Sequence, residues 1–428
     1  MRVLLVKPGA PARSPFFTNE KRFPIGIGFL ISVLRNAGHE VHFVDNYLRP
    51  HDFIGEGYLQ QNKIEILGLY MDTICLGEAL LLLKNVEKLR RRKLWNGRIV
   101  VGGPHASVLP HTVPDFVDHI VIGEGERALL RVIEGVQDRI VKGERIREMD
   151  SLPMPAYDVA TTLPYDTTVS FIEGAPVFTM NTSRGCPFDC TFCSVGSVWG
   201  RRYDFLSAAR VVEDIEFLKR TYNAEGIFFR EDNFTLRKKR VFDFCERLLG
   251  NDVNIKWMCE TRVDTLDKEM LRVMKRAGCE GLYIGAESGS QRVLDFLKKG
   301  ITTEQVKSVF AWCAELGIKT LGSFVVGVPT ETPEERKQTV EFARELGPTT
   351  SAFNVFVGIP TSTLYDYVLA NRLYEHIDEV GLLYMKGHDA LVDEFYSGHP
   401  NAKIPKRRGL RRITYAMARK LASPGHNT

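Results

Sequence analysis

Residues 183–193 read SRGCPFDCTFC and place Cys186, Cys190 and Cys193 within eight residues of each other. The run directly follows an apolar stretch, Val177 to Thr182, which has the length and composition of a buried strand. In parallel α/β folds, chemistry takes place on the loops that follow the carboxyl ends of strands. We therefore predict that the three thiols lie on such a loop, at the functional end of a domain.

The cysteine spacing favours an iron–sulfur cluster. A cubane cluster is normally held by four thiolates, so a trio without a fourth neighbour leaves one iron open to a ligand that is not protein. A structural zinc site would complete its tetrahedron with a fourth cysteine or histidine. The next cysteine is Cys245, and no histidine lies between Cys193 and Cys245. A zinc knuckle or an electron-transfer cluster is the alternative.

Residues 176–360 alternate apolar runs with helical patterns, which predicts a parallel TIM-like barrel or an open part-barrel of six strand–helix units. The predicted strands are Val177–Thr182, Gly226–Arg230, Ile255–Cys259, Gly281–Ala286, Thr320–Val326 and Ala352–Val357. The predicted helices between them are Ala208–Thr221, Arg237–Leu249, Lys268–Ala277, Thr303–Leu316 and Pro333–Leu346.

Residues 1–145 show the same alternation, which is typical of a doubly wound, Rossmann-like parallel sheet. Such sheets bind ligands beyond the carboxyl ends of their strands. In this chain those ends carry Asp45, Tyr70–Thr73, Gly102–Gly103 and Gly123–Glu126. Residues 146–175 lack periodicity and contain three prolines in SLPMPAYDVATTLPY, so they are predicted to form a linker between the two units.

The composition is that of a globular protein with room for two or three domains: 428 residues, 44% hydrophobic and 26% charged. The net charge of +4 does not indicate a nucleic-acid partner. Eight cysteines in this length are too sparse for a disulfide scaffold and point to a reducing compartment. No stretch approaches the roughly 18 apolar residues of a membrane span. A cytoplasmic location is expected.

The cysteine motif resembles the signature of the radical S-adenosylmethionine superfamily, in which an aromatic residue, here Phe192, precedes the last cysteine. The resemblance implies that Cys186, Cys190 and Cys193 hold a 4Fe–4S cluster, whose open iron chelates the amino and carboxylate groups of S-adenosylmethionine. One-electron reduction then cleaves the sulfonium to a 5′-deoxyadenosyl radical, which abstracts hydrogen from carbon. A flavodoxin or ferredoxin is the electron donor that this chemistry implies.

Residues at later strand ends resemble the cosubstrate site of that superfamily. Glu231 and Asp232 end the second barrel strand and correspond to the region that meets the methionyl amino group. Capping of the following helix by Asp232 or Asn233 is the alternative. Arg262, just past the third strand, is expected to pair with the methionyl carboxylate as a fork-shaped donor, or else to form a surface ion pair.

Two more segments continue this resemblance. Glu287 and Ser288 end the fourth strand, like the segment whose acidic and hydroxyl side chains bind ribose and carboxylate. Helix capping by Ser288 or Ser290 is the alternative. Gly327 follows the fifth strand and resembles the edge that accommodates adenine, because a backbone without Cβ permits close approach.

The remaining cysteines lie in apolar runs, where small core residues are the usual interpretation. Cys259 is the exception, because it ends the third predicted strand near the predicted site. We therefore consider a catalytic role for Cys259, with a core position as the alternative.

Three segments of the first unit resemble the cobalamin-binding domain that precedes the barrel in one branch of the superfamily. They are residues 23–45, VVGGPHASVLP at 100–110 and VIGEGE at 121–126. The resemblance implies a cobalamin site at Asp45, Thr73, Gly102 and Gly103. The glycine pair would let the nucleotide tail of cobalamin lie against the backbone.

The chain departs from the wider cobalamin family at residues 45–50. Where base-displacing members carry Asp-x-His-x-x-Gly, this chain reads DNYLRP and lacks both the histidine and the glycine. Tyr47, at the histidine position, is a neutral phenol with a reference pKa of about 10 and is a poor cobalt ligand. Any bound cobalamin is therefore predicted to be base-off, without a coordinating protein nitrogen.

The resemblance implies methyl transfer to an unactivated carbon, in which one S-adenosylmethionine methylates cobalt and a second generates the substrate radical. The substrate is expected to be a small or lipid-like molecule. A non-methylating radical enzyme, such as a dehydratase, cyclase, oxidase or epimerase, is the second hypothesis. A redox carrier without turnover is the third. The ordered strand-end motifs argue against a carrier, because a carrier needs no cosubstrate pocket.

Residues 361–428 are predicted to form a helical region that shapes the substrate pocket and ends in a basic tail. The stretch from Lys403 to Lys420, KIPKRRGLRRITYAMARK, interleaves basic with apolar residues. Such a helix usually covers its own domain with a solvated basic face. Contact with anionic lipid or with a phosphorylated substrate is the alternative.

Overall fold

The computed structural model describes residues 1–9, 20–48 and 56–396. Six parallel strands form the first sheet in the order β2-β1-β3-β4-β5-β6. These strands are β1 (Arg2–Lys7), β2 (Glu40–Asp45), β3 (Ile66–Tyr70), β4 (Arg98–Gly102), β5 (His119–Ile122) and β6 (Ile140–Lys142). The helices of this unit are α1 (Ile25–Asn36), α2 (Glu56–Gln61), α3 (Leu76–Arg91), α4 (Pro104–Val108) and α5 (Gly125–Glu134).

Helices cover both faces of this sheet, as the alternation along β1 shows. Val3 and Leu5 pack in the cluster that contains α1 and α5, whereas Leu4 and Val6 pack in the cluster that contains α2 and α3. The doubly wound prediction is confirmed. The strand order reverses between β1 and β3, and the crevice at such a point is where these sheets bind ligands.

The second sheet has six parallel strands in the order β14-β13-β12-β11-β10-β7, with β7 and β14 at its two edges. This is an open part-barrel, as predicted. Its strands are β7 (Val177–Met180), β10 (Gly226–Phe229), β11 (Lys256–Thr261), β12 (Cys279–Glu287), β13 (Lys319–Val326) and β14 (Thr350–Val355), and the short hairpin strands β8 (Ser183–Arg184) and β9 (Asp204–Phe205) follow β7.

Helices lie between the barrel strands along the chain. A linker helix, α6 (Tyr157–Thr162), precedes the barrel, and the stretch predicted to lack periodicity therefore includes one short helix. The helices of the barrel unit are α7 (Val195–Trp199), α8 (Ala208–Tyr222), α9 (Lys238–Gly250), α10 (Lys268–Arg276), α11 (Gln291–Phe296), α12 (Thr303–Glu315) and α13 (Pro333–Leu346). Local signals fix several helix starts: Thr302 and Thr332 each form a capping box with a residue three positions on, and Pro333 occupies the first turn of α13.

The region after residue 356 is not purely helical. It combines an antiparallel sheet in the order β15-β17-β16 with two helices. The elements are β15 (Val357–Gly358), α14 (Thr363–Ala370), β16 (Tyr374–Ile377), β17 (Leu383–Met385) and α15 (His388–Tyr396). The basic stretch from Lys403 to Lys420 lies outside the described residues. Within the described part of the chain, no helix has the length and apolar character needed to cross a membrane.

Candidate active site

A cavity of about 620 Å³ lies between the carboxyl ends of the two sheets. Its first wall is built by residues at the ends of β1, β3, β4 and β5, including Lys7, Tyr70, Gly102, Gly103 and Glu124. Its second wall is built by the barrel, including Asn181, Arg184, Asp232 and Glu260. The two strand-end regions that the sequence marked as separate sites therefore open into one shared space.

The three predicted cluster cysteines lie on the loop between β8 and α7. All are free thiols; Cys186 and Cys190 are partly buried, and Cys193 is exposed. The surrounding protein displaces water from the sulfur atoms, which raises the pKa of Cys186 and raises that of Cys193 to about 11 although part of Cys193 remains exposed. In both cases the charges of Asp232 and Cys190 add to the effect. Binding iron at these thiols must therefore displace protons. Among the described residues, no three His, Cys, Asp or Glu side chains converge on a single-ion site.

Asp232 lies beside this loop. Its pKa is raised to about 6, chiefly by burial and then by the charge of Glu231, while the backbone N–H of Gly185 donates to its carboxylate. Glu231 is held differently: it accepts hydrogen bonds from the backbone N–H of Thr182 at 2.6 Å and from the Thr182 hydroxyl at 3.1 Å. Both residues line the cavity. Glu231 thus ties β10 to β7, and Asp232 is the acid that faces the cysteines.

Arg262 is buried, and each of its three guanidinium nitrogens donates a hydrogen bond to a protein group. Its Nε and Nη2 donate to the two carboxylate oxygens of Asp264 at 2.9 and 3.0 Å, and its Nη1 donates to Sγ of Cys190 at 3.2 Å. Its guanidinium lies 3.7 Å from the ring centroid of Phe188. The surface ion pair that was the alternative is excluded by this burial. The pair of guanidinium donors that was expected to bind the methionyl carboxylate binds Asp264 instead.

Glu287 and Ser288 end β12, and both have protein partners. Glu287, with a φ of 61°, accepts a hydrogen bond from Nζ of Lys299 at 2.6 Å, and both side chains are buried. The Ser288 hydroxyl shares a hydrogen bond with Thr339 Oγ1 at 3.0 Å. Ser290 caps α11 by accepting from the Val293 N–H. Helix capping is therefore the role of Ser290.

Gly327 follows β13 in the left-handed region, with a φ of 74°. Its N–H donates to Oε2 of Glu331 at 2.6 Å, and burial raises the pKa of Glu331 to about 7. A Cβ at Gly327 would lie 2.7 Å from Cδ1 of Leu391 in α15. A close approach to Gly327 was expected, and it is made by the Leu391 side chain of α15.

Cys259 does not line the cavity, and it occupies the core position that was the alternative to a catalytic role. It is fully buried in the cluster between the barrel sheet and its helices, together with Trp257 and Cys279, and this burial raises its pKa well above the usual value. The next residue, Glu260, points the opposite way because side chains alternate along a strand. Glu260 lines the cavity, and burial raises its pKa to about 7. Sequence reasoning missed it, because the predicted strand stopped at Cys259, although a carboxylate directly after a predicted strand is a visible signal.

Of the predicted cobalamin residues, Gly102 and Gly103 line the cavity, whereas Asp45 and Thr73 do not. Asp45 is buried and accepts hydrogen bonds from the backbone N–H of Tyr47 at 2.8 Å and from the Tyr165 hydroxyl at 2.7 Å. These contacts anchor the end of β2 to the linker.

Thr73 shares a 3.0 Å hydrogen bond with Nδ1 of His105, whose Nε2 meets Oγ1 of Thr112 at 3.0 Å. Burial lowers the pKa of His105 to about 4. Both ring nitrogens are therefore engaged in the neutral form. Thr73 therefore positions His105, and of the predicted cobalamin residues only Gly102 and Gly103 line the cavity.

Comparison with known proteins decides the family. Residues 180–343 match the Radical SAM superfamily, and residues 20–133 match the B12 binding domain. An uncharacterized methyltransferase of Pyrococcus horikoshii is 31% identical over 396 residues, covering 87% of this chain and 84% of that protein. The chain belongs to the cobalamin-binding branch of the radical S-adenosylmethionine superfamily. This confirms the predicted fold class, enzyme class and cofactors: a 4Fe–4S cluster, S-adenosylmethionine and cobalamin.

Two further matches span both domains of this radical S-adenosylmethionine enzyme. The anaerobic magnesium-protoporphyrin IX monomethyl ester cyclase of Cereibacter sphaeroides is 26% identical, covering 80% of this chain and 60% of the cyclase. The methyltransferase TsrM from Kitasatospora setae, solved with cobalamin and a [4Fe-4S] cluster bound, superposes with a TM-score of 0.68 at 18% identity, over 88% of this chain and 76% of TsrM. The likeness to TsrM shows a common fold.

The residues of this radical S-adenosylmethionine enzyme fit its cofactors. Three free thiols on one loop supply cluster ligands, and Asp232 places an acid beside them. Gly102 and Gly103 line the cavity without a side chain, and Gly103 is restricted to glycine because an added Cβ would lie 2.7 Å from the backbone oxygen of Met71. A flat, bulky cofactor can approach backbone there without meeting a side chain.

Proposed function

We propose that this chain is a cobalamin-dependent methyltransferase that acts on an unactivated carbon of a small or lipid-like molecule. The observation that carries the proposal is the single cavity shared by the strand ends of both domains. When bound, cobalamin supplies a methyl carrier, and the cluster with S-adenosylmethionine supplies a hydrogen-abstracting radical. A methyl carrier and a radical source must reach the same substrate carbon, and a shared cavity permits this.

The residues of the chain divide the remaining tasks. Cys186, Cys190 and Cys193 would bind the cluster, and Asp232 would accept a hydrogen bond from the methionyl ammonium, for which its position beside the cysteines is suited. Arg262 would stabilise the cluster loop through Cys190. The roles first expected for Glu287, Ser288 and Gly327 are weaker in this proposal, because protein groups already engage each of them; Oε2 of Glu287 is the atom that we assign to a ribose hydroxyl.

The setting of the reaction is also part of the proposal. All eight cysteines are free thiols, which supports a reducing compartment and hence the cytoplasm. Reducing the cluster requires a one-electron donor of low potential, for which a flavodoxin or ferredoxin is suited. The cavity wall on the first-domain side is largely apolar, with Ile25, Ile27, Phe29 and Leu30 among its residues. An apolar wall favours excluding water from the radical.

The test is anaerobic reconstitution with iron, sulfide and hydroxocobalamin, followed by reduction in the presence of S-adenosylmethionine carrying a deuterated methyl group. We expect bound corrinoid in the absorption spectrum, deuterium in the extracted corrinoid and S-adenosylhomocysteine in solution. The Cys190→Ala variant is the control that should retain corrinoid but form no 5′-deoxyadenosine. Formation of 5′-deoxyadenosine without S-adenosylhomocysteine or label in the corrinoid would refute methyl transfer and favour a non-methylating reaction, such as that named for the cyclase relative.

A further inference from the structure

Four charged side chains form a cluster where the two domains meet, which we call the interdomain clamp: Glu124, Glu126 and Arg184, which are buried, and Arg145, which is partly buried. Arg184 Nη1 donates to Oε2 of Glu124 at 2.6 Å, and Arg184 Nη2 donates to Oε1 of Glu126 at 2.5 Å. Arg145 Nε lies 3.4 Å from Oε1 of Glu124. The two glutamates follow β5 in the cobalamin-binding domain, and Arg184 ends β8 in the barrel unit. One guanidinium thus bridges two carboxylates across the domain boundary.

The clamp is shielded from water. Glu124 and Glu126 are each 4% exposed and Arg184 is 8% exposed. The Arg184 guanidinium also lies 5.3 Å from the ring centroid of Phe29 and 5.8 Å from that of Trp199. Removing charges from water is costly, and apolar side chains would often stabilise such a position equally well. What the charged groups add is geometric selectivity, because the fork of one arginine fits two carboxylates best in one relative placement of the domains.

The clamp holds the start of the cluster loop and the helix that follows the loop. Arg184 lies two residues before Cys186, and Arg145 Nη2 donates to the Arg184 backbone oxygen at 2.8 Å. Beyond the loop, Arg145 Nη1 donates to the backbone oxygen of Trp199, the last residue of α7, at 2.7 Å. These contacts connect Glu124 and the start of α5 to the segment that carries the three cysteines.

The clamp also borders the cavity from both sides. Glu124 and Glu126 line the cavity at the end of β5, and Arg184 and Trp199 line it from the barrel side. A ligand placed against the strand ends of the first sheet thus lies close to the same side chains that hold the cluster loop. The two cofactor sites share a structural element.

We propose that Arg184 is a positioning residue that couples the cobalamin site to the cluster site through Glu124 and Glu126. Occupation of either site stabilises the one domain arrangement in which the arginine fork is satisfied, and so raises the affinity of the other. Such coupling is reciprocal, because the two binding equilibria share one free energy of interaction. The proposal does not depend on which reaction the enzyme catalyses.

The experiment measures the dissociation constant of hydroxocobalamin for the full-length protein with and without a reconstituted cluster. We expect the wild-type protein to bind at least about fivefold more tightly when the cluster is present, the lower end of usual allosteric couplings. In Glu126→Gln, which keeps the shape of the side chain but removes its charge, this ratio of the two dissociation constants should fall towards one, whatever the affinity measured without the cluster. Arg184→Lys should also lose the coupling, since an ammonium cannot bridge two carboxylates as a fork.

The control is Arg35→Gln, which breaks the exposed 2.8 Å ion pair between α1 and Asp158 of the linker helix. This variant should keep the wild-type ratio. If Glu126→Gln fails to load iron but melts at the wild-type temperature, the proposal is still supported, because the altered residue lies in the other domain and touches no cysteine; if the variant does not fold, Arg184→Lys decides. An unchanged coupling ratio in both Glu126→Gln and Arg184→Lys, or a wild-type ratio of one, would overturn it.

Discussion

The glycine pair at the end of β4 provides a sharp test of how the cobalamin-binding domain builds its cavity wall. Gly103 has a φ of 111° and a ψ of 178°, a region of backbone conformation that is essentially restricted to glycine. An alanine Cβ would lie 2.7 Å from the backbone oxygen and 3.0 Å from the backbone nitrogen of Met71. At Gly102, by contrast, the added Cβ would lie 3.5 Å from Cβ of Val121, an ordinary contact.

Gly103→Ala is therefore expected to cost about 1–3 kcal/mol from backbone strain alone, with the overlap at Met71 adding to it. A loss of each kcal/mol lowers the melting temperature of a domain of this size by roughly 2–4 °C. Gly102→Ala should change the free energy of unfolding by less than about 0.5 kcal/mol, as expected for a substitution that creates no clash.

Both glycine variants would be compared with the wild-type protein by thermal unfolding, followed by circular dichroism, and by titration with hydroxocobalamin. We expect Gly103→Ala to melt at a lower temperature and to bind corrinoid more weakly, because relieving the clash must displace the turn that lines the cavity. Equal melting temperatures for the two variants would refute the reasoning, since the strain argument applies to Gly103 alone.

Three further predictions concern the barrel. Cys190→Ala should abolish reductive cleavage of S-adenosylmethionine while leaving the fold intact, because two thiolates do not hold a cubane; 5′-deoxyadenosine measured by chromatography checks this, and full activity would contradict it. Glu287→Ala should weaken S-adenosylmethionine binding and also destabilise the fold by about 3–5 kcal/mol, because it leaves the Lys299 ammonium buried without its partner. Adding Lys299→Met should restore the melting temperature but not the affinity for S-adenosylmethionine. Restored affinity would show that Glu287 does not touch the cosubstrate. Below about pH 4.5, Glu260→Gln should have the same free energy of unfolding as the wild-type protein, and between pH 4.5 and 7 it should become increasingly more stable. The reason is that an acid whose pKa rises from 4.5 to about 7 on folding destabilises the native state as pH rises. The side chain is 32% exposed, so solvent screening reduces the full effect to about 1–2 kcal/mol, and a difference independent of pH in urea unfolding would contradict this.

Much of this protein follows from local sequence alone. The predicted helix Pro333–Leu346 coincides with α13, and the predicted strand Thr320–Val326 differs from β13 by one residue, because apolar periodicity, capping residues and proline act over a few neighbouring positions. The cysteine spacing indicated a cluster loop after the first barrel strand, and the succession of strand-end motifs indicated the family. These features depend on residue order, which the sequence contains directly.

Which side chains share a space was decided by tertiary structure. Cys259 and Glu260 are adjacent on β11 and therefore point to opposite faces of the sheet. Which face of the sheet borders the cavity is decided by the barrel, and this places the carboxylate in the cavity and the thiol in the core. Arg184 meets Glu124 from 60 positions away, and Arg262 meets Cys190 from 72 positions away. Such contacts depend on strand order and on how two domains dock, and neither leaves a periodic signal in the chain. The sequence therefore determined the elements and the chemistry they carry, whereas the packing of the two sheets against one cavity determined which residues act together.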